Sequence, residues 1–432
     1  MNLILVELNE INFDIVKKYL DKGANLPGFK AIVGSQLLET IAEEKYEENE
    51  PWIQWPSVHT GLNYDEHKVF RLGDFINSDK EQFFEKVEDA GYLVGAISPM
   101  NASNMLKNPA FFIPDPWTKT PSDGSFISRR LTSALSQSVN DNSQSILTMA
   151  TIINLILAFL TLVSPARFIH MSWYAMTSFK KPWRKALFLD KFLFEIHNTL
   201  YKRKKPNFST IFLNAGAHIQ HHYFYNSPHV KTSELVNPSW YVAPSEDPFL
   251  EMIKIYDDII QKLLSIPNTE IIIATGLSQK PYNKLKYYYR LVDHKNFLND
   301  VGVCFSSVVP RMTRDFLIVF NNPQEALSAQ KKLSKILVDG NTKLFEEIDN
   351  RGNSLFVVLT FSDEINKKTH IIYEGGTFLL KEYTIFVAIK NGEHQNKGFA
   401  YFSEGLMDVA PTSGCQVSKI HNTVLNFFDI PN

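Results

Sequence analysis

The chain has 432 residues, of which 44% are hydrophobic and 21% charged, and its 44 Lys and Arg nearly balance 46 Asp and Glu to give a formal net charge of −2. So neutral a chain lacks the basic field that a polyanion requires, and nucleic acid is excluded as a partner. Its two cysteines, Cys304 and Cys415, are too few for a disulfide framework or a thiolate zinc site, which points to a reducing, cytoplasmic compartment.

The opening MNLILVELNEINFD has no basic leader and no small-residue cleavage site, so it reads as the first strand of the fold. The apolar run 3–8 predicts that strand, and 13–21 follows with helical spacing. Residues 81–90 form an amphipathic helix, closed by Gly91 and followed by the strand YLVGAIS. Later come a strand over 210–215, a helix near 247–265 and a strand over 269–275. Strands alternating with helices predict an α/β fold with a central, mostly parallel sheet between helical layers. Such sheets bind ligands beyond the carboxyl ends of their strands. The polar residues to weigh are therefore Asn9 and Glu10, Asn214 to His222, and Thr275 to Gln279.

Two stretches break this rhythm. Residues 314–361 read as strand, helix, strand, strand, a small α+β insertion. Residues 142–166 carry no charge over 25 positions. That is long enough to span a bilayer, but one crossing would split strands that share a sheet. A buried helix, an in-plane membrane helix and one arm of a re-entrant hairpin all fit the run. The following segment is basic and aromatic, with Trp173, Trp183 and the run Lys202-Arg203-Lys204-Lys205, as in helices that lie in a membrane interface. The expected divisions are core 1–124, helical insertion 125–205, core 206–311, α+β insertion 312–385 and core 386–432.

The stretch NAGAHIQHHY at 214–223 places His218, His221 and His222 just after an apolar run. Imidazoles so dense either ligate a metal or cap and hydrogen-bond at a helix start. At 50–67 the chain reads EPWIQWPSVHTGLNYDEH, where Trp55, Ser57, Thr60, Gly61, Leu62 and His67 fall on a known pattern without a gap. With the first strand, TIFLNAGAH, GEHQNKG at 392–398 and the tail from Asp408, this resembles the alkaline phosphatase superfamily, in particular its nucleotide pyrophosphatase/phosphodiesterase and sulfatase-like branches. The resemblance touches both ends and the middle of the chain, covers about two thirds of it and spares the insertions. It implies a pair of divalent metals flanking an activated Thr or Ser and a phosphoryl or sulfuryl ester.

The chain departs from that pattern. Asn9 and Asn214 stand where the family has metal-binding carboxylates, Thr275-Gly276 where it has an Asp-His pair, and Pro51 where it has the nucleophile. A dication without compensating anions is poorly held, so a two-metal centre is not expected. A remodelled site would use either one divalent metal, zinc or manganese, or none. The resemblance leaves His218 and His394 as metal ligands, with Asn214 as a weak oxygen donor and Glu50 or His222 as the further ligand. Glu50, paired with His59 or His221, is the candidate general base. Arg290 is the candidate clamp for a phosphate or carboxylate. Asn9, Glu10, Gln54 and Gln279 complete the list as substrate-binding candidates. The expected function is a divergent hydrolase or transferase acting on a phosphate, phosphodiester or sulfate ester, with a lipid-linked or surface-glycan substrate. The chain would be cytoplasmic, with peripheral membrane contact through 142–205. The alternative is a catalytically inactive protein that binds an anionic ligand or a protein partner.

Overall fold

The computed structural model describes residues 1–34, 37–140, 148–230, 235–311 and 314–431. Six strands enter the central sheet in chain order before residue 280: β1 (Asn2–Leu8), β2 (Leu37–Ile41), β3 (Val94–Ile97), β4 (Phe111–Ile113), β5 (Phe208–Leu213) and β6 (Thr269–Ala274). Two more, Lys397–Phe402 and Cys415–Gln416, join from the C-terminal end. Across the sheet the order is Cys415–Gln416, β2, Lys397–Phe402, β6, β1, β5, β3, β4. β1 lies between β5 and β6 and pairs in parallel with both. Lys397–Phe402 runs antiparallel to both of its neighbours. This is the α/β, mostly parallel sheet that the sequence predicts.

A central parallel strand is covered on both faces, so its side chains feed two cores by alternation. Ile4, Val6 and Leu8 of β1 enter one apolar cluster, and Leu3 and Leu5 the other. The first cluster also takes Leu131, Leu162, Tyr174, Leu187 and Phe192. The segment expected as a helical insertion, 125–205, is helical and shares the core of the sheet. It contains helices Phe126–Asn140, Met149–Leu162, Pro165–Thr177 and Arg184–Lys204. Of the apolar run 142–166, residues 142–147 lie outside the described residues. No helix of the described residues is long and apolar enough to cross a membrane.

The chain divides into two compact units. The first comprises Met1–Ser138, Thr148–Pro281 and Gly392–Asn432, and the second includes Tyr282–Asn391. The second holds two four-stranded sheets and the helix Pro323–Leu333. It starts earlier and ends later than the expected 312–385. A long strand, β7 (Ser278–Leu291), carries the chain out, and Thr384–Gln395 carries it back.

Candidate metal centre

Three backbone features bring the site together at the carboxyl edge of the sheet. First, β1 ends at Leu8, and the next two residues are pinned to its neighbours. Asn9 N–H donates to Leu213 O (3.0 Å) and Glu10 N–H to Thr275 O (3.0 Å). Glu10 sits at φ +63°, a left-handed conformation that costs a non-glycine residue on the order of 1 kcal/mol or more. Second, β5 leads into the helix Ala215–Tyr223. The orphan N–H groups of its first turn are met by Asp190, which accepts from Asn214 N (3.2 Å) and Ala215 N (2.7 Å), and by the Tyr256 hydroxyl, which accepts from Gly216 N (2.9 Å). Gly216 is required there: a Cβ would lie 2.1 Å from Ile11 Cδ1. Third, the reversed strand Lys397–Phe402 begins where its parallel neighbours end. The residues just before it, His394 among them, therefore arrive at the same edge.

At that edge Glu10, His221 and His394 meet. Glu10 Oε2 lies 3.2 Å from His221 Nε2 and 3.2 Å from His394 Nε2. The two Nε2 atoms are themselves 3.2 Å apart. Among the described residues this is the group of His, Cys, Asp and Glu side chains that could hold a metal ion. The donor set passes a fit test. Ligand atoms about 2.0–2.1 Å from a tetrahedral zinc sit roughly 3.3 Å from one another, and two imidazoles with one carboxylate leave a fourth position open, as in catalytic zinc sites.

The surrounding residues hold these three in place. Glu50 caps the helix Pro51–Thr60 with its backbone, but its side chain makes no capping bond. Its Oε2 instead lies 3.3 Å from His394 Nδ1. A carboxylate beside the far nitrogen raises the basicity of a ligating histidine, and the backbone of Asn49 hydrogen-bonds the ring. Glu10 accepts from Asn9 Nδ2 at Oε1 (3.0 Å) and from Gln279 Nε2 at Oε2 (2.5 Å). Gln220 Nε2 donates to the Glu10 carbonyl (2.7 Å). Burial alone would raise the Glu10 carboxyl, but the charges of His394 and His221 and their hydrogen bonds overcome it and hold the group far below the usual carboxylate range. Burial alone would lower His394. Glu10, and behind it Glu50, reverse that and push it up to about 9.

The other sequence candidates lie outside the three-residue group, with Asn9 and Gln279 in hydrogen bonds to Glu10. His59, a candidate base partner, is fully buried in the apolar core and meets Glu7 at 3.3 Å, where no ligand reaches it. Gln54 is fully buried, and its amide braces the loop through Glu43 N (3.2 Å) and Glu48 O (2.9 Å). Asn9 uses its whole amide within the protein, donating to Glu10 and to Asn214 Oδ1 (2.8 Å) and accepting from Trp55 Nε1 (2.8 Å). Gln279 is fully buried and donates to Glu10 and Ala217 O (3.1 Å), so it positions the carboxylate. His218 and His222, one helical turn apart, face each other with ring centroids 5.1 Å apart and lie outside the three-residue group. Burial, and then the charge of His221, push His218 down to about 4. Arg290 belongs to the second unit, on β7. Three contributors carry no expected role from the sequence: Asp190, Gln220 and Trp55. Gln220 sits beside the histidines and was visible there. Asp190 lies in a helix far along the chain with no motif around it.

No family model and no curated protein matches the chain. Several solved structures are similar to it along nearly its whole length. Phosphonoacetate hydrolase from Sinorhizobium meliloti 1021 in complex with phosphonoformate is 11% identical, with 98% of this chain and 95% of that chain covered and a TM-score of 0.45. Murine ectonucleotide pyrophosphatase/phosphodiesterase 5 is 10% identical over 100% and 96%, with a TM-score of 0.41. Alkaline phosphatase from the Antarctic bacterium TAB5 is 7% identical over 100% and 99%, with a TM-score of 0.42. These likenesses are distant, and no residue role passes across them.

Proposed function

We propose that the chain is a divalent-metal-dependent hydrolase or transferase acting on an anionic ester, a phosphate, phosphodiester or sulfate. The reading rests on one observation, the three ligand atoms of Glu10, His221 and His394 spaced as the corners of a tetrahedral shell. The order of motifs that resembles the alkaline phosphatase superfamily supplies the ester class. Glu10, His221 and His394 would hold zinc or manganese. Bound by these residues, such an ion would supply Lewis-acid chemistry toward water and an ester oxygen. The protein's own part is orientation. Asn9 and Gln279 fix the two carboxylate oxygens of Glu10, and the charge of Glu50 lies beside the far nitrogen of His394. With Pro51 at the family's nucleophile position, water is the nucleophile in this reading. In this reading the substrate is presented at a membrane, lipid-linked or a surface glycan, and the protein works at the cytoplasmic face; the apolar and basic helices over 149–205 support it.

A second reading, a binding protein without turnover, is favoured by Pro51 and by the asparagines at 9 and 214. One experiment separates them. Protein purified without chelator is assayed for metal and for hydrolysis of p-nitrophenyl phosphate, its bis ester and p-nitrophenyl sulfate. The enzyme reading expects about one ion per chain, turnover of at least one ester, and loss of both in His394→Ala and His221→Ala. Bound metal without turnover supports the binding protein. Turnover that survives exhaustive chelation contradicts the metal reading.

A further inference from the structure

The helices Met149–Leu162 and Pro165–Thr177 each turn one side toward the helix Arg184–Lys204 and leave the other open. On the first, Thr151, Ala158 and Leu162 are buried, while Met149, Ile153, Ile156, Leu157 and Leu160 are 44–72% exposed. At 100° per residue, those five fall within an arc of about 100°. On the second, Met171 and Tyr174 are buried, while Ile169, Trp173 and Met176 are 87%, 43% and 65% exposed. Phe179, just past its end, is 90% exposed. Two residues join the helices, and Phe159 packs against Phe168 with ring centroids 4.9 Å apart. Two consecutive helices thus present apolar faces away from the same support. A contiguous exposed surface of this kind marks an interaction site.

Charge identifies the partner. From Gly124 to Leu189 the chain holds seven Lys and Arg and a single acidic residue, Asp141; Arg167, Lys181 and Arg184 pair with Glu195 and Asp258, Glu246 and Glu251 from outside that stretch. Arg129, Arg130, Lys180 and Lys185 are exposed around the helices. A cavity of about 580 Å³ at the ends of the helices Arg184–Lys204 and Pro248–Leu264 is bordered by Arg167, Lys202, Lys205 and Lys262, of which Arg167 and Lys262 pair with Asp258. Protein interfaces are depleted in lysine, whereas anionic lipid headgroups attract it. The helix Met149–Leu162 has 14 residues, about 21 Å, against a hydrocarbon core of about 30 Å, so it is too short to cross a bilayer.

We propose that the exposed apolar faces of Met149–Leu162 and Pro165–Phe179, ringed by Lys and Arg, dock the protein on an anionic membrane surface. Ile153, Ile156, Leu160, Ile169, Trp173 and Phe179 enter the acyl boundary, and the lysines meet the headgroups. The inference does not depend on the metal reading. Its test is flotation of the full chain with vesicles of phosphatidylcholine alone and of phosphatidylcholine with phosphatidylserine. The expected result is flotation with the anionic vesicles only, reduced by high salt. Ile169→Ser with Phe179→Ser, both solvent-facing, should lower the bound fraction on the order of tenfold with an unchanged melting curve. Lys180→Glu with Lys185→Glu should do so at low salt. Wild-type protein that stays at the bottom with both vesicles overturns the proposal. So does flotation that the double serine variant retains. A concentration-dependent dimer lost in that variant, without flotation, assigns the face to a second copy and also overturns it.

Discussion

Replacing Glu50 removes no atom from the proposed ligand set, yet it should weaken metal binding. The Glu50 carboxylate lies 3.3 Å from His394 Nδ1, on the side of the ring opposite the group formed with Glu10 and His221. Without that charge the imidazole keeps its hydrogen bond to the Asn49 backbone but loses the negative partner that raises its basicity as a ligand. Losing such a partner costs about 10–100-fold in metal affinity, or roughly 1.4–2.7 kcal/mol. The Glu50 side chain is 26% exposed, so water can take over part of its role. That places Glu50→Ala near the middle of the range, at about 30-fold. Glu50→Gln removes the charge but keeps a polar group of the same shape, and should lose no more than Glu50→Ala. The assay is a zinc titration against a chromophoric chelator at fixed pH, with melting curves to show that both variants fold. Affinity in Glu50→Ala within twofold of the parent, or a greater loss in Glu50→Gln than in Glu50→Ala, would refute the positioning role.

Two more outcomes follow from the packing. A Cβ at Gly392 would lie 2.1 Å from Gln279 Oε1 and 2.7 Å from the Gln220 carbonyl, so Gly392→Ala should cost about 1–3 kcal/mol and push Gln279 away from Glu10. The urea midpoint and the zinc affinity should both fall, and no change in either contradicts this packing. Burial pushes His197 down to about 3, below the value of about 6.5 in an unfolded chain. Its folded pKa is depressed, so the stability it contributes is present above pH 6.5 and is lost as pH falls toward 3. His197→Gln should flatten the acid side of a urea-midpoint profile by up to about 1.4 kcal/mol per pH unit, whereas parallel profiles would show that the ring is charged in the folded state.

The parallel strands were legible because a strand covered on both faces must be apolar throughout. LILVEL, TIFLNA and TEIIIAT announce β1, β5 and β6 without help from alternation. β4 was not legible, since three residues, Phe111–Ile113, make too short a run to stand out. Nor was β7, whose many lysines and tyrosines do not read as a buried strand. At the site, Glu10, His221 and His394 were all candidates, yet the grouping differs from the expected one. Motif spacing pairs His218 with Asn214, one helical turn apart, as though a carboxylate stood at 9 and 214. With asparagines at both positions, the carboxylate of β1 lies one residue later, on a left-handed backbone. The imidazole that meets it is His221, three residues further along the helix. Which of three neighbouring histidines reaches a carboxylate depends on helix phase and strand register together, and spacing along the chain specifies neither. Asp190 could not have been foreseen, because it reaches the helix start from a separate, motif-free segment.

The most direct test of the central claim is a crystal of the zinc-loaded protein measured on both sides of the zinc absorption edge. The account predicts one anomalous peak within bonding distance of Glu10 Oε2, His221 Nε2 and His394 Nε2. A peak between His218 and His222, or a triad that stays empty at saturating zinc, would contradict it.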